Sequence, residues 1–283
     1  MKVDKIDIAI LRVLDGIRGS FEYAWSKKII EKLPYKAELI KKRLLKLNKL
    51  KMIEIKNFEK EIGCKILQKG LNTLAIWNFK KHGVIKQILT KVGEGKESTL
   101  YSAISPSNEY LILKFHKYYA AEFEKIKKSL AYSAVKLRGE ELRIEDYKID
   151  IPKAKAQIEF HVLKKLWDKG FKVPKPIDLD RHVVAMEMIY DFPGIPSKLL
   201  KDVILEDPKE MKAEIVNEYL TIVEKGGIVH GDFSEFNIMI KQDGSFFIID
   251  WPQAVPTTFE LAEKLKERDL NNILNFFKKK YKV

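Results

Sequence analysis

Residues 228–253 read Ile-Val-His-Gly-Asp-Phe-Ser-Glu-Phe-Asn-Ile-Met-Ile-Lys-Gln-Asp-Gly-Ser-Phe-Phe-Ile-Ile-Asp-Trp-Pro-Gln. Three polar stations stand out in this stretch: His230-Gly231-Asp232, then Asn237, then Asp250. The apolar residues between them predict where each one sits. Asn237 opens a strand-like stretch over 237–240, Gly244 turns the chain, and 246–249 returns, which predicts a hairpin with Asp250 ending its second strand. Such a hairpin carries an amide and a carboxylate to one end of a sheet, where hard oxygens suit a magnesium ion that also touches phosphates. Asp232, on the preceding loop, is free to orient a hydroxyl or a water as base. Phosphoryl transfer asks for little more: its transition state is loose and negatively charged, so an enzyme mainly positions the nucleophile and neutralises charge. The expectation is an ATP-using, Mg²⁺-dependent phosphotransferase.

Upstream, Gly93-Glu94-Gly95-Lys96-Glu97-Ser98 lies between the apolar run 84–92 and a strand-like 99–104. It is not a Walker A loop, because Glu97 separates Lys96 from Ser98 and the glycines are two apart. It is similar to the glycine-rich loop of kinases, with Ser98 in the third glycine position. Glycines let backbone N–H groups approach phosphate, and a serine hydroxyl adds a donor. On local grounds alone, a Gly-Glu-Gly hairpin turn is the alternative.

Sixteen residues past Ser98, the apolar strand 110–115 carries Lys114 in its interior. In a kinase N-lobe this is the phosphate-binding lysine; the alternative is a lysine on the wet face of an alternating strand. A helix starting near Pro152 places Ile158, Val162, Leu163, Leu166 and Trp167 at helical spacing. Glu159, beside that stripe, is the candidate partner that holds Lys114 charged and aimed at phosphates. Glu140, Glu141 and Glu145 precede it as further carboxylates. After Val173-Pro174-Lys175-Pro176, the apolar run 183–189 ends in Met186-Glu187-Met188-Ile189, whose backbone is where adenine is expected to bind. Loop, lysine strand, glutamate helix, hinge, catalytic loop and metal aspartate follow the order of a two-lobed kinase.

Taken together, Gly93–Ser98, His230-Gly-Asp-Phe-Ser-Glu-Phe-Asn237, Ile249-Asp250-Trp251-Pro252-Gln253 and Arg268-Asp269-Leu270 resemble the RIO atypical protein kinases over essentially the whole chain. The Gly-Lys-Glu-Ser and Asp-x-Pro-Gln signatures separate that family from aminoglycoside-type phosphotransferases, which share the His-Gly-Asp and Asn pattern. The resemblance implies Ser98 and Lys114 on ATP phosphates, Asp232 catalytic, and Asn237 with Asp250 on the metal. The sequence departs from the family after Lys114, where no Arg-Thr-Ser-Phe-Arg-like stretch occurs, at Asp191-Phe192-Pro193-Gly194, and at Trp251, a position often held by Phe.

Charge divides the chain unevenly. Residues 1–83 hold 20 Lys and Arg against 9 Asp and Glu, a net of +11, while 84–283 hold 33 against 31, a net of +2. The basic third reads as helices over 3–17, 23–33 and 36–51, strands near 52–56 and 62–67, and a last helix near 70–80, which suggests a winged helix. On the third helix Leu39, Ile40, Leu44, Leu47 and Leu50 share one face. Lys41, Lys42, Lys46 and Lys49 take the other, interrupted by Leu45. Such a helix can lie on a nucleic acid and neutralise phosphates, with affinity that falls as salt rises. A solvated lysine-rich face or a protein-binding module is the alternative. The winged-helix-bearing RIO branch implies work on the maturing small ribosomal subunit, which makes its ribosomal RNA the expected polyanion.

The predicted organisation is therefore α+β: a winged helix over 1–83, a kinase N-lobe over 84–190 with a flexible insert near 117–150, and a reduced, truncated C-lobe over 191–283. Only 33 residues follow Asp250, with no Ala-Pro-Glu element, so an extended peptide-docking groove is not expected. Cys64 is the single cysteine, and neither a secretory leader nor an apolar run of membrane-spanning length is read, so a cytoplasmic protein is expected. Two other functions fit parts of the pattern. One is a small-molecule phosphotransferase; the other is a nucleotide-gated winged-helix RNA-binding protein with an inactive kinase lobe.

Overall fold

A computed structural model describes residues 3–18, 20–59, 61–118 and 150–283. The insert expected near 117–150 lies outside them apart from Lys117, Tyr118 and Asp150, as do Glu140, Glu141 and Glu145. The chain packs as two units, Met1–His82 and Gly83–Val283.

In the first unit α1 (Lys5–Ile17) begins at Asp4. The Asp4 carboxylate accepts from the N–H groups of Ile6 and Asp7 while Asp7 answers on the Asp4 N–H, closing a capping box. There follow β1 (Ala24–Trp25), α2 (Ser26–Glu31), α3 (Ala37–Lys49), β2 (Ile53–Asn57), β3 (Ile62–Ile66) and α4 (Gln68–Lys81). The single helix expected over 23–33 is split. Ala24 and Trp25 pair with Cys64 and Gly63, so the sheet runs β1-β3-β2. An extended Tyr-Ala-Trp suits the free edge of a hairpin better than a helix start, because aromatic residues fit a half-buried pleated surface. Ile40, Leu44 and Leu47 of α3 are buried, as are Ile8, Ile10, Leu11 and Leu14 of α1. Leu45 is 65% exposed.

The second unit opens with β4 (Gln87–Glu94), β5 (Ser98–Ile104) and β6 (Tyr110–His116). Helix α5 (Ile151–Trp167) leads to β7 (Pro176–Asp180) and β8 (Val183–Glu187). These strands form one antiparallel sheet in the order β4-β5-β6-β8-β7. Asp150 caps α5 and Pro152 sits in its first turn, where a missing N–H costs nothing. Short hairpin strands β9 (Tyr190–Phe192) and β10 (Ile195–Pro196), then β11 (Lys198–Leu199), lead to α6 (Pro208–Thr221). A π-helical turn over Ile222–Gly226 closes at Gly227 with φ +68°. The chain then runs through β12 (Ile228–Val229), β13 (Ile238–Ile240), β14 (Phe246–Ile248), β15 (Val255–Pro256) and α7 (Ala262–Tyr281).

One continuous core joins the sheet side to the helical side. Ile158, Val162, Leu163 and Leu166 of α5 and Val184 and Met186 of β8 pack in the same cluster as Tyr219, Ile238, Phe246, Ile248, Trp251, Ile273 and Phe277. The predicted hairpin is present as β13 and β14, paired Ile238 to Ile248 and Ile240 to Phe246. Its end differs from expectation: β14 stops at Ile248, and Asp250 takes a left-handed backbone at φ +68°. A non-glycine residue there stores strain, which persists where the surroundings hold it for a purpose. Among the described residues no helix is long and apolar enough to cross a membrane.

Candidate active site

Period two along β6 puts Ile112, Lys114 and His116 on one face of the sheet. Period 3.6 along α5 puts Lys155 and Glu159 on one face of the helix. The two faces meet. Lys114 Nζ donates to Glu159 Oε1 at 2.6 Å and to Asp250 Oδ1 at 2.6 Å. His116 Nε2 donates to the other Glu159 oxygen at 2.9 Å. A helix glutamate and an aspartate two residues past β14, far apart in sequence, thus converge on one buried ammonium. The Glu159 carboxyl is pushed up by burial, but the Lys114 ammonium and the His116 hydrogen bond outweigh that and hold it at about 2. Burial opposes the charge on Lys114 too, and the two carboxylates overcome it, raising its pKa. His116 is held below its usual range, chiefly by burial.

Sequence reasoning missed His116 and Lys155, although the alternation of β6 and the four-residue step along α5 pointed to both. Lys155 Nζ lies 2.8 Å from Glu97 Oε2, which ties α5 to the loop between β4 and β5. In that loop Gly93 pairs with Leu100 and Glu94 with Thr99, Gly95 N–H donates to Ser98 O, and Lys96 is exposed. Lys117 bonds Glu94 Oε1 at 3.0 Å and Gly95 O at 2.8 Å. Lys91 and Lys117 hold Glu94 at about 2, far below the usual carboxylate range. Ser98 faces His116 across the β5–β6 ladder, two residues from Lys114, so the loop's serine and the buried lysine lie on adjoining strands.

On the other side of the site, Gly231 has φ +78°, and a Cβ there would meet Gln253 O at 2.5 Å. Only glycine fits between His230 and Asp232. His230 is fully buried with both ring nitrogens used: Nε2 donates to Ile249 O at 3.0 Å and Nδ1 accepts from the Asp232 N–H at 3.2 Å. It thereby ties the loop of Asp232 to the backbone just before Asp250. Asn237 Nδ2 donates to Asp232 O at 2.8 Å and to Asp232 Oδ2 at 3.3 Å, which leaves its amide oxygen as the atom able to ligate a cation. Burial pushes the Asp232 carboxyl up, and the nearby Asp250 charge adds to this, as suits a group that takes a proton. Asp250 bonds Lys114 through Oδ1 and keeps 41% of its side chain exposed.

The donor set suits magnesium. Mg²⁺ takes one or two protein oxygens and completes its shell with phosphate and water, so a carboxylate plus an amide oxygen is enough. Among the described residues no cluster of three or more acidic, His or Cys side chains could cage a metal without a phosphate ligand.

Asp269 of α7 closes the site from beneath. Its buried carboxylate accepts from Gly231 N at 2.8 Å, Phe233 N at 3.2 Å and Tyr219 Oη at 2.8 Å, while Arg268 donates to Gly231 O. Helix α7 thus anchors the loop that carries Asp232. Asp269→Ala orphans three donors in a dry interior, so the variant is expected to lose about 3–5 kcal/mol of stability. In urea its midpoint should fall with the slope unchanged; a loss below about 1 kcal/mol would mean that the loop is anchored elsewhere.

The edge expected to hold adenine is partly engaged within the protein: Met188 N–H donates to Tyr110 O at 3.1 Å and Ile189 O accepts from Ser197 N at 2.9 Å, while Glu187 is exposed. A separate cleft of about 1050 Å³, lined by Asp191, Ile204, Glu210 and Lys241 among others, contains none of Lys114, Glu159, Asp232 or Asp250 and is distinct from this site. In the first unit Lys41, Lys42 and Lys49 are exposed. Lys46 does not join them, because Asp7 of α1 binds its ammonium and draws it toward the helix interface, where Arg43 also reaches Asp4 at 2.7 Å.

Against known proteins, the RIO domain family matches residues 99–283. The chain is 34% identical over 252 residues to the RIO-type serine/threonine-protein kinase Rio2 of Methanocaldococcus jannaschii, covering 89% of this chain and 87% of that protein. It is 30% identical over 243 residues to the serine/threonine-protein kinase rio2 of Dictyostelium discoideum, covering 85% of this chain but only 44% of that longer protein. In three dimensions it resembles the Rio2 kinase of Chaetomium thermophilum, solved as an ADP/Mg²⁺-phosphoaspartate complex. The TM-score is 0.80 at 23% identity, over 99% of this chain and 82% of that one.

Proposed function

The chain belongs to the RIO domain family and is an atypical protein kinase, and from that premise we propose an ATP- and Mg²⁺-dependent serine/threonine kinase and ATPase of the Rio2 branch, with a winged helix over 1–83 and a nucleotide cycle coupled to small ribosomal subunit maturation in the cytoplasm. The observation that carries the reading is the buried Lys114 held between Glu159 and Asp250. An ammonium fixed from two sides costs no reorganisation when phosphates arrive, which is where electrostatic catalysis gains most.

In this reading Ser98 and the backbone of Gly93–Glu97 cover the phosphates, Lys114 binds them, and the main chain of Glu187–Ile189 holds adenine. Asn237 and Asp250 hold magnesium, which when bound neutralises charge on the phosphates. Asp232 orients the attacking group and takes its proton.

Asp250 is also a candidate acceptor. One carboxylate oxygen would attack the γ-phosphorus, the bond to the β-phosphate oxygen would break, and ADP would leave with that electron pair. Water oriented by Asp232 would then hydrolyse the acyl phosphate. The partly exposed carboxylate on a left-handed backbone supports this. The N-terminal unit supports an RNA partner: its helices α1–α4 with the β2–β3 hairpin follow a winged-helix order, and Lys41, Lys42 and Lys49 stay exposed on α3.

The test is ATP turnover with Mg²⁺, with and without small-subunit particles, followed by chemical analysis of label from γ-labelled ATP. Turnover that responds to particles, with hydroxylamine-labile label on the protein, is the expected result. Acid-stable, hydroxylamine-resistant label would assign the acceptor elsewhere. ATP binding without turnover under every condition would remove the enzymatic assignment.

A further inference from the structure

The kinase-like unit as a whole is nearly neutral, yet residues 164–175 carry five lysines against one acid, Asp168. They wrap the C-terminal end of α5. Lys164 and Lys165 sit in its last turn, where cations complement the helix dipole, and that accounts for those two. It does not account for the rest. Past the helix Lys169 Nζ reaches Lys225 O at 2.6 Å, bringing a third chain segment and another exposed lysine to the same spot. Lys165 is close enough to Lys169 that, after burial, the second charge lowers its pKa. Concentrating like charges costs stability, and Glu224 and Asp168 are the acids nearby in sequence.

Amid these lysines Trp167 is 42% exposed, and Lys175 Nζ lies over its ring at 5.0 Å. Lys172 is otherwise engaged, 3.7 Å from Glu214 and over the Phe246 ring. A large aromatic ring left open among unneutralised cations matches a single-stranded nucleic acid: cations take the phosphates and the ring stacks a base. Duplex RNA hides its bases in the stack and would leave the indole unused.

We propose that this end of α5 is a contact site for single-stranded RNA, with Lys164, Lys165, Lys169 and Lys225 on phosphates and Trp167 stacking an unpaired base. The inference rests on the reading that the chain engages ribosomal RNA, and it adds a second surface, in the kinase-like unit, to the lysines of α3.

The experiment titrates the full chain into a fluorescently labelled uridine oligomer across a salt series, using wild type, Lys165→Ala/Lys169→Ala/Lys225→Ala and Trp167→Ala. ATP turnover without RNA serves as the check on folding, since none of these residues belongs to the catalytic machinery. Each phosphate contact on a single strand contributes about 0.7 to the log–log salt slope, so the triple variant should lose about 2 from it. Trp167→Ala should weaken binding about tenfold with the slope unchanged. In wild type the oligomer should quench tryptophan emission, and Trp167→Phe should remove that quench while retaining most of the affinity.

If wild type binds and both variants bind with its slope and affinity, this site is overturned. The broader RNA reading then stands or falls on Lys41→Ala/Lys42→Ala/Lys49→Ala. If the triple variant loses slope but Trp167→Ala is silent and a hairpin RNA competes as well as the oligomer, the single-strand assignment is wrong. A wild type that binds no RNA overturns both proposals while leaving ATP turnover intact.

Discussion

Asp232→Asn should lower ATP turnover by about 10²–10⁴-fold while leaving nucleotide affinity and stability nearly unchanged. Asparagine keeps the shape of the side chain and an oxygen for the Asn237 amide, and the stronger bond from Asn237 goes to the Asp232 main chain, which the substitution does not touch. What is lost is the ability to take a proton. Asp250→Ala should abolish turnover to a similar degree for a different reason, by removing the proposed metal oxygen and one of the two anions that fix Lys114. It should also weaken nucleotide binding and eliminate hydroxylamine-labile label. Residues that act as a unit are not additive, so the double variant should be scarcely worse than either single one. Single-turnover kinetics with γ-labelled ATP separate the cases. If Asp232→Asn retains more than about a tenth of wild-type turnover, the base assignment fails, because the effect would be too small for proton transfer.

Glu159→Ala should cost about 3–5 kcal/mol, on the order of 10 °C in Tm. The carboxylate is fully buried with both oxygens bonded, one to Lys114 and one to His116. Its removal leaves an ammonium in the interior with only the half-exposed Asp250 to answer it. Truncating one partner of a buried pair is worse than never having had the pair, since the desolvated charge stays behind. Glu159→Gln keeps a hydrogen-bonding shape without the charge and should fall between wild type and alanine. Activity should drop in both, because Lys114 loses the support that keeps it between α5 and Asp250.

The pH dependence follows in sign. Glu159 is held at about 2, below its unfolded value near 4.5, so its contribution is present above pH 4.5 and is lost as pH falls toward 2. The raised pKa of Lys114 keeps its share present below about 10.5 and loses it only above that. Wild type should therefore show a stability difference from Glu159→Gln that is flat from about pH 5 to 10 and shrinks below. Thermal melts across that range check it, and a difference that persists unchanged at pH 2 would sink the ion-pair account.

How much of this was legible beforehand differs from residue to residue. The β13–β14 hairpin and helix α5 are written in local apolar periodicity, as are most helices of the first unit, because burial of one face requires it. The order of loop, lysine, glutamate and aspartates along the chain follows from motif spacing, since each must stand at the end or the middle of a specific element. Gly231 was legible as part of a motif, but its reason was not: the backbone of Gln253, far along the chain, fills the space a side chain would need. The helix expected over 23–33 failed because pairing with β3 is a non-local gain that no window over those residues contains.

By itself the sequence determined most of the element types, the order of the motif residues and the basic character of the first unit, all of which depend on neighbours within a few residues or on counting. Only the tertiary structure decided which groups touch. That Lys114 bridges Glu159 and Asp250, that His116 takes the second Glu159 oxygen, that Asp269 holds the loop of Asp232 from below, and that Lys46 is claimed by Asp7 are contacts across 36 to 136 residues of chain. Charge and hydrogen-bond energies fall steeply with distance in space and carry no record of distance in sequence. Such pairings become definite only once the strands, the helices and their shared core have packed.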